Sequence, residues 1–116
     1  LYTYEDVTLK QGDQKYISLG VAMKLPDGYE AIMAPRSSTF KNWGILQSNG
    51  VGVIDSTYHG DNDIWMFPAY ATKSVIIPAE TRLCQFRIQE EQPEINFNIV
   101  ESLGVDDRGG LGSTGV

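Results

Sequence analysis

From Ile17 to Leu25 every odd position is apolar (Ile17, Leu19, Val21, Met23, Leu25), while Ser18, Gly20, Ala22 and Lys24 are small or polar. A period of two is the signature of a pleated strand with one face buried, so this spacing predicts a half-buried strand over 17–25. The alternation recurs over 82–88, where Cys84, Phe86 and Ile88 share one face and Leu83, Gln85 and Arg87 the other. It appears again at Ile95, Phe97 and Ile99 against Asn96 and Asn98. Shorter β-rich runs lie at 7–9, 29–34, 51–54, 64–67 and 74–77, separated by turn signals such as "KQGD", "LPDG", "HGDN" and "IPAE". No segment holds a helical period for three turns. Many short strands without repeats or low-complexity linkers predict an all-β fold, a jelly roll or distorted β-barrel.

Composition narrows what such a fold can do. At 116 residues the chain fits one domain with a modest core, the more so if partner subunits cover part of its surface. The net charge is −6, and no block of Lys or Arg gathers enough positive field to grip a nucleic-acid backbone. A polyanion would need a local pocket, with a metal cation to help. One cysteine, Cys84, permits no internal disulfide and suits a reducing, cytoplasmic compartment. No run approaches the roughly 18 apolar residues of a membrane span, and no signal-peptide pattern opens the chain, so no membrane association is expected.

The usual catalytic sets are missing. His59, the one histidine, sits beside Gly60 in a turn and reads as a solvated loop residue; with a single cysteine it gives no zinc spacing. Cys84 alternates onto an apolar face, where a thiol behaves as a small inert hydrophobe. Trp43, Trp65 and the tyrosines show no cage-like clustering and read as core or interface. The terminal "GGLGSTG" lacks the lysine and the following helix of a phosphate-binding loop. Its glycines lose the most freedom on ordering, so this end is expected to be a frayed terminus or an arm that orders over a ligand.

Two internal stretches carry more. "APRSSTF" offers the guanidinium of Arg36 and the hydroxyls of Ser37 and Ser38 to one anion; a plain turn with a surface arginine would read the same. In "SNGVGVIDSTYHG", Gly50 and Gly52 bracket a tight turn, and Val53 and Ile54 lead a strand to Asp55, with Tyr58 three residues on. A carboxylate on a rigid strand can accept a proton from attacking water, and the tyrosine can floor a small pocket. The alternative is a hairpin with an Asp-Ser turn and a packing tyrosine.

In combination, the chain resembles the trimeric dUTP diphosphatases (dUTPases). Four of that family's five motifs can be read in order: "PRSS" at 35–38, "NGVGVIDSTYHG" at 49–60, "TRLCQ" at 81–85 and "RGGLGSTG" at 108–115. The third is the most specific, because its Asn, Gly, Ile-Asp and Tyr-x-Gly stand at fixed offsets. The resemblance implies a jelly-roll domain over 1–104, a glycine-rich arm over 105–116 that closes over another subunit's site, and a homotrimer. It also implies Mg²⁺-dependent hydrolysis of dUTP to dUMP and pyrophosphate. By the same resemblance, Asp55 activates water for in-line attack on the α-phosphorus, and Tyr58 lies against the deoxyribose and excludes a 2′-hydroxyl. Asn49, with backbone groups of Gly52, Val53 and Ile54, reads uracil. Arg36, Ser37, Ser38 and Gln85 meet the phosphates, and Arg108, Gly112, Ser113 and Thr114 belong to the closing arm.

Several positions depart from the family pattern. The first-motif aspartate that holds the metal's water shell would fall immediately before Leu1, so no residue here is assigned to the metal. Leu111 stands where an aromatic stacks on the base, after a spacer two residues shorter, leaving Trp65 or Phe67 as substitutes. Glu80 and Thr81 replace the Gly-acidic pair that opens the fourth motif. These variations are similar to a subgroup from Gram-positive bacteria and their phages. The related dCTP deaminases share the fold and an Arg-Ser-Ser stretch, but need a glutamate where this chain has Trp65. A nucleotide-binding regulatory trimer with little turnover is the other alternative, against which the carboxylate of Asp55 argues, since it would only repel a triphosphate. Any regulatory protein partner is unidentified by the sequence.

Overall fold

The structure is a computed structural model that describes residues 1–112 and 115. The expectations on Ser113 and Thr114 lie outside the described residues. Eight strands and one short helix follow in the order β1 (Val7–Leu9), β2 (Gln14–Ser18), β3 (Tyr29–Pro35), α1 (Thr39–Trp43), β4 (Ile45–Gln47), β5 (Gly52–Ile54), β6 (Met66–Ala71), β7 (Val75–Ile77) and β8 (Cys84–Glu90). They form three antiparallel sheets, ordered β1-β7, β2-β6-β4 and β5-β3-β8. The sheets enclose one apolar core to which each contributes: Leu9 and Ile77, Ile17, Ile45 and Phe67, and Ala31, Met33 and Cys84. Each large aliphatic side chain so buried contributes roughly 1.5–3 kcal/mol of transfer free energy. This is the all-β, jelly-roll architecture expected from the alternation.

The strand expected over 17–25 keeps its alternation of burial but not its ladder. Pairing with β6 ends at Ser18↔Met66. Beyond it, the Leu19 N–H donates to the Trp65 carbonyl (2.9 Å) and the Trp65 N–H to the Val21 carbonyl (2.8 Å), so the chain bulges at Gly20. Gly20 has φ +68°, and a Cβ there would stand 2.6 Å from Cδ2 of Tyr4. Only glycine takes that position without strain. The bulge lets Leu19 and Leu25 stay inside while the strand turns away from its sheet.

Three other expectations need correction. The run at 64–67 begins its strand only at Met66, because Ile64 and Trp65 lie opposite the bulge. Leu83, placed by alternation with Gln85 and Arg87, is fully buried, whereas Ile88 is exposed. Leu83 precedes β8 and lies under the turn after β3, where its carbonyl accepts from the Arg36 N–H (3.3 Å) and the Thr39 hydroxyl (2.6 Å). The alternation at 95–99 is not a strand: Phe97 and Ile99 are 88% and 102% exposed. The last ladder ends at Glu90, and among the described residues none includes 95–99, so the period-two pattern has no strand to pair with there.

Candidate functional site

The third motif folds as the sequence suggested. Its turn closes with the Gly50 N–H donating to the Gln47 carbonyl (3.0 Å), and Gly50 takes φ +74°. β5 then pairs with β3 through Met33↔Gly52, Ile32↔Val53 and Ala31↔Ile54, and releases Asp55 at the strand's end. A cavity of about 520 Å³ opens there, lined by Asn49, Gly52, Val53, Ile54, Asp55 and Tyr58. That volume suits a mononucleotide-sized ligand. The Tyr58 hydroxyl donates to the Ile64 carbonyl (3.0 Å), which holds the ring at the cavity.

Asp55 is held by Thr57. The Thr57 backbone N–H donates to Oδ1 of Asp55 at 2.7 Å, and the Thr57 hydroxyl donates to the same oxygen. The Thr57 hydroxyl first, and its backbone N–H second, keep the Asp55 carboxyl below its ordinary value of 3.8. The Tyr58 backbone N–H adds a weaker pull in the same direction, and Asp55 is exposed, so the carboxylate stays accessible to a water. Asp55, Ser56 and Thr57 form a side-chain turn, a local Asp-x-Thr signal that points to Thr57 as the partner of the carboxylate.

The expected phosphate contacts lie elsewhere on the chain. Arg36 and Gln85 line a second, separate cavity of about 330 Å³ with Leu1, Tyr2 and Arg82. Buried Thr39 anchors the turn that carries Arg36, accepting from its N–H (3.1 Å) while donating to the Leu83 carbonyl. The Arg36 guanidinium donates to the Arg82 carbonyl (3.3 Å), and Gln85 Nε2 to the Pro35 carbonyl (3.2 Å). Ser37 is exposed, and Ser38 opens α1 without using its hydroxyl as a cap. Neither serine lines either cavity. Arg108 and Gly112 are exposed, in a continuous exposed stretch from Arg87 to Gly112. One chain therefore brings together the expected base, sugar and water-activating groups, but not the expected phosphate groups.

Two expected substitutes for the missing aromatic fail. Phe67, in β6, is fully buried in the core. Trp65 is 1% exposed and packs edge-on to Phe86, ring centroids 5.2 Å apart at 79°, so it borders the cavity without offering an open face. Residues that sequence reasoning missed include Tyr16, Met66 and Pro68, which wall the cavity from the β2-β6-β4 sheet, and Gln47, which bonds Asn49. Only the three-dimensional approach of two sheets reveals them. Cys84 is buried, and burial pushes its thiol up to about 11, as an inert core residue requires. His59 is exposed, as expected. Among the described residues no three His, Cys, Asp or Glu side chains converge to hold a metal ion. None of the described helices is long and apolar enough to cross a membrane.

Comparison with known proteins bears on this arrangement. The SPbeta prophage-derived deoxyuridine 5'-triphosphate nucleotidohydrolase YosS of Bacillus subtilis (strain 168) is 54% identical over 111 residues, covering 96% of this chain and 78% of that protein. Among solved structures, a mutant Staphylococcus bacteriophage 80alpha dUTPase with dUpNHpp superposes with a TM-score of 0.78 at 20% identity, over 100% of this chain and 84% of the other. A mutant dUTPase from phage phi11 of S. aureus, in which a structural Mg(II) ion is coordinated, gives 0.74 at 17% identity, over 90% and 83%. At such identities the likeness speaks to the fold. The dUTPase family model matches residues 1–115. With the third motif folded around its cavity, and the sequence matched along nearly its whole length, the chain belongs to the dUTPase family.

Proposed function

We propose that this chain hydrolyses dUTP to dUMP and pyrophosphate, by water attacking the α-phosphorus, in a homotrimer whose sites are shared between subunits. The observation that carries this reading is the meeting of Asn49, Asp55 and Tyr58 on one cavity, with Oδ1 of Asp55 pinned by Thr57. Uracil sits against the β5 hairpin, where backbone groups of Gly52 to Ile54 and the Asn49 amide match its fixed donors and acceptors. Cytosine would leave buried polar groups unpaired there. Tyr58 packs on the deoxyribose. The exposed Asp55 carboxylate orients the attacking water and receives its proton as the bond to phosphorus forms. A carboxylate kept well ionised is a weak base, which suits a phosphoryl transfer that asks more for positioning than for a strong nucleophile.

Family membership and the separation of the two cavities support a trimer. Arg36 and Gln85, with Ser37 and Ser38, would supply phosphate contacts to a neighbour's nucleotide, and Arg108 with Gly112, Ser113 and Thr114 would close over it. The exposed apolar residues Ile95, Phe97 and Ile99 fit the same picture, because another subunit would cover them. Among the described residues no three His, Cys, Asp or Glu side chains converge, so these residues do not fit a resident metal. Mg²⁺ keeps several waters and takes substrate phosphates, so here it would arrive on the triphosphate and neutralise charge. The compartment we assign is the cytoplasm. Deamination of dCTP finds no support, since Trp65 is sealed in the core where that chemistry needs a carboxylate.

The reading is tested by incubating the protein with dUTP and Mg²⁺ while following proton and pyrophosphate release. Pyrophosphate without ammonia is the expected result. Ammonia from dCTP would establish deamination instead, and tight nucleotide binding without turnover would establish a sensor.

A further inference from the structure

Gln47, the last residue of β4, is 7% exposed, and it touches Asn49 rather than the cavity itself. Its Nε2 donates to the Met33 carbonyl at 3.2 Å and to Oδ1 of Asn49 at 3.0 Å. The chemistry of these partners removes the ambiguity that amide side chains usually carry. A backbone carbonyl can only accept, so the Gln47 atom facing Met33 must be the nitrogen. Its second hydrogen then requires an acceptor, so the Asn49 atom facing it must be Oδ1. With Oδ1 engaged by Gln47, the donor that Asn49 has left for a ligand is Nδ2.

We propose that Gln47 is a specificity-determining positioning residue: anchored on the Met33 carbonyl, it locks the Asn49 amide with Nδ2 as its ligand-facing group, so that the site accepts a 4-keto pyrimidine and refuses a 4-amino one. A keto oxygen accepts from Nδ2, whereas an exocyclic amino group sets donor against donor. Were Asn49 free to turn over, its oxygen would serve the amino group equally well and the distinction would fade. Gln47 Oε1 is buried and has no partner among the described residues, so the side chain is kept in place by its nitrogen alone. The inference rests on the reading of Asn49 as the base-recognising residue.

The test measures kcat/KM for dUTP and dCTP, and inhibition by dUMP and dCMP, on the full chain and its Gln47→Leu, Gln47→Met and Asn49→Ala variants. Each ratio of uracil to cytosine nucleotide is independent of the fraction of protein that folds, so a merely structural role would not move it. Gln47→Leu and Gln47→Met are expected to lower the ratio about tenfold, through KM for dUTP with kcat nearly held. A ratio unchanged in both Gln47 variants but lost in Asn49→Ala overturns the inference and leaves the site reading standing. A ratio unchanged in Asn49→Ala overturns both.

Discussion

Thr57 donates its backbone N–H and its hydroxyl to the same oxygen, Oδ1, of Asp55. Both bonds favour the ionised carboxyl and hold it below 3.8, the hydroxyl most strongly. Activity that needs the carboxylate therefore persists to lower pH than an unassisted aspartate allows. Thr57→Val removes the hydroxyl bond and keeps the backbone one, so the acid limb of kcat/KM should move up in pH toward the ordinary value, while Thr57→Ser keeps it in place. The sign for stability is the same. A depressed carboxyl stabilises the fold above its unfolded pKa and loses that contribution as pH falls through its folded one, so Thr57→Val should blunt the acid sensitivity of unfolding. pH–rate profiles of the two variants check this.

Gly20 and Tyr4 form a second close relationship, and it concerns folding. Gly20→Ala would place a side chain at φ +68°, with its Cβ 2.6 Å from the Tyr4 ring. The backbone term alone costs about 1–2 kcal/mol. Tyr4→Ala removes the ring contacts but keeps Tyr4 Cβ at 3.1 Å and the backbone strain, so urea midpoints should show Gly20→Ala destabilising in both backgrounds, and less in the Tyr4→Ala one.

The C-terminal arm makes a separate prediction. Removing 108–116 should lower kcat on the order of 10²-fold, because phosphate positioning is lost, while dUMP binding to the base and sugar pocket changes little. Unchanged turnover in the shortened chain would remove the arm from the mechanism. Single-turnover kinetics with dUTP, and titration with dUMP, separate the two effects.

Much of this was legible in the chain. The β-rich runs at 7–9 and 29–34 with their flanking turns match β1 and, to within one residue, β3, and Asn49, Asp55 and Tyr58 stand at spacings that place them on one hairpin. Other features were not readable one strand at a time. The bulge at Gly20 depends on Trp65, distant in sequence, and burial of Leu83 depends on the turn at Arg36 to Thr39 crossing above it. The pattern at Ile95, Phe97 and Ile99 predicts a strand because period two marks an apolar face without naming its partner. Gln47 looked like an ordinary polar residue; its role became visible only when β3 and the β4–β5 turn met around it.

In the proposed reaction the Asp55 carboxylate directs water to the α-phosphorus of a bound deoxyuridine nucleotide. Asp55→Asn preserves size and can still meet Thr57, but cannot take a proton. Its kcat with dUTP and Mg²⁺ is the most direct measurement. A fall of about 10²–10⁴-fold, with dUMP affinity retained, is the result predicted; turnover at the unmodified protein's rate would contradict the account.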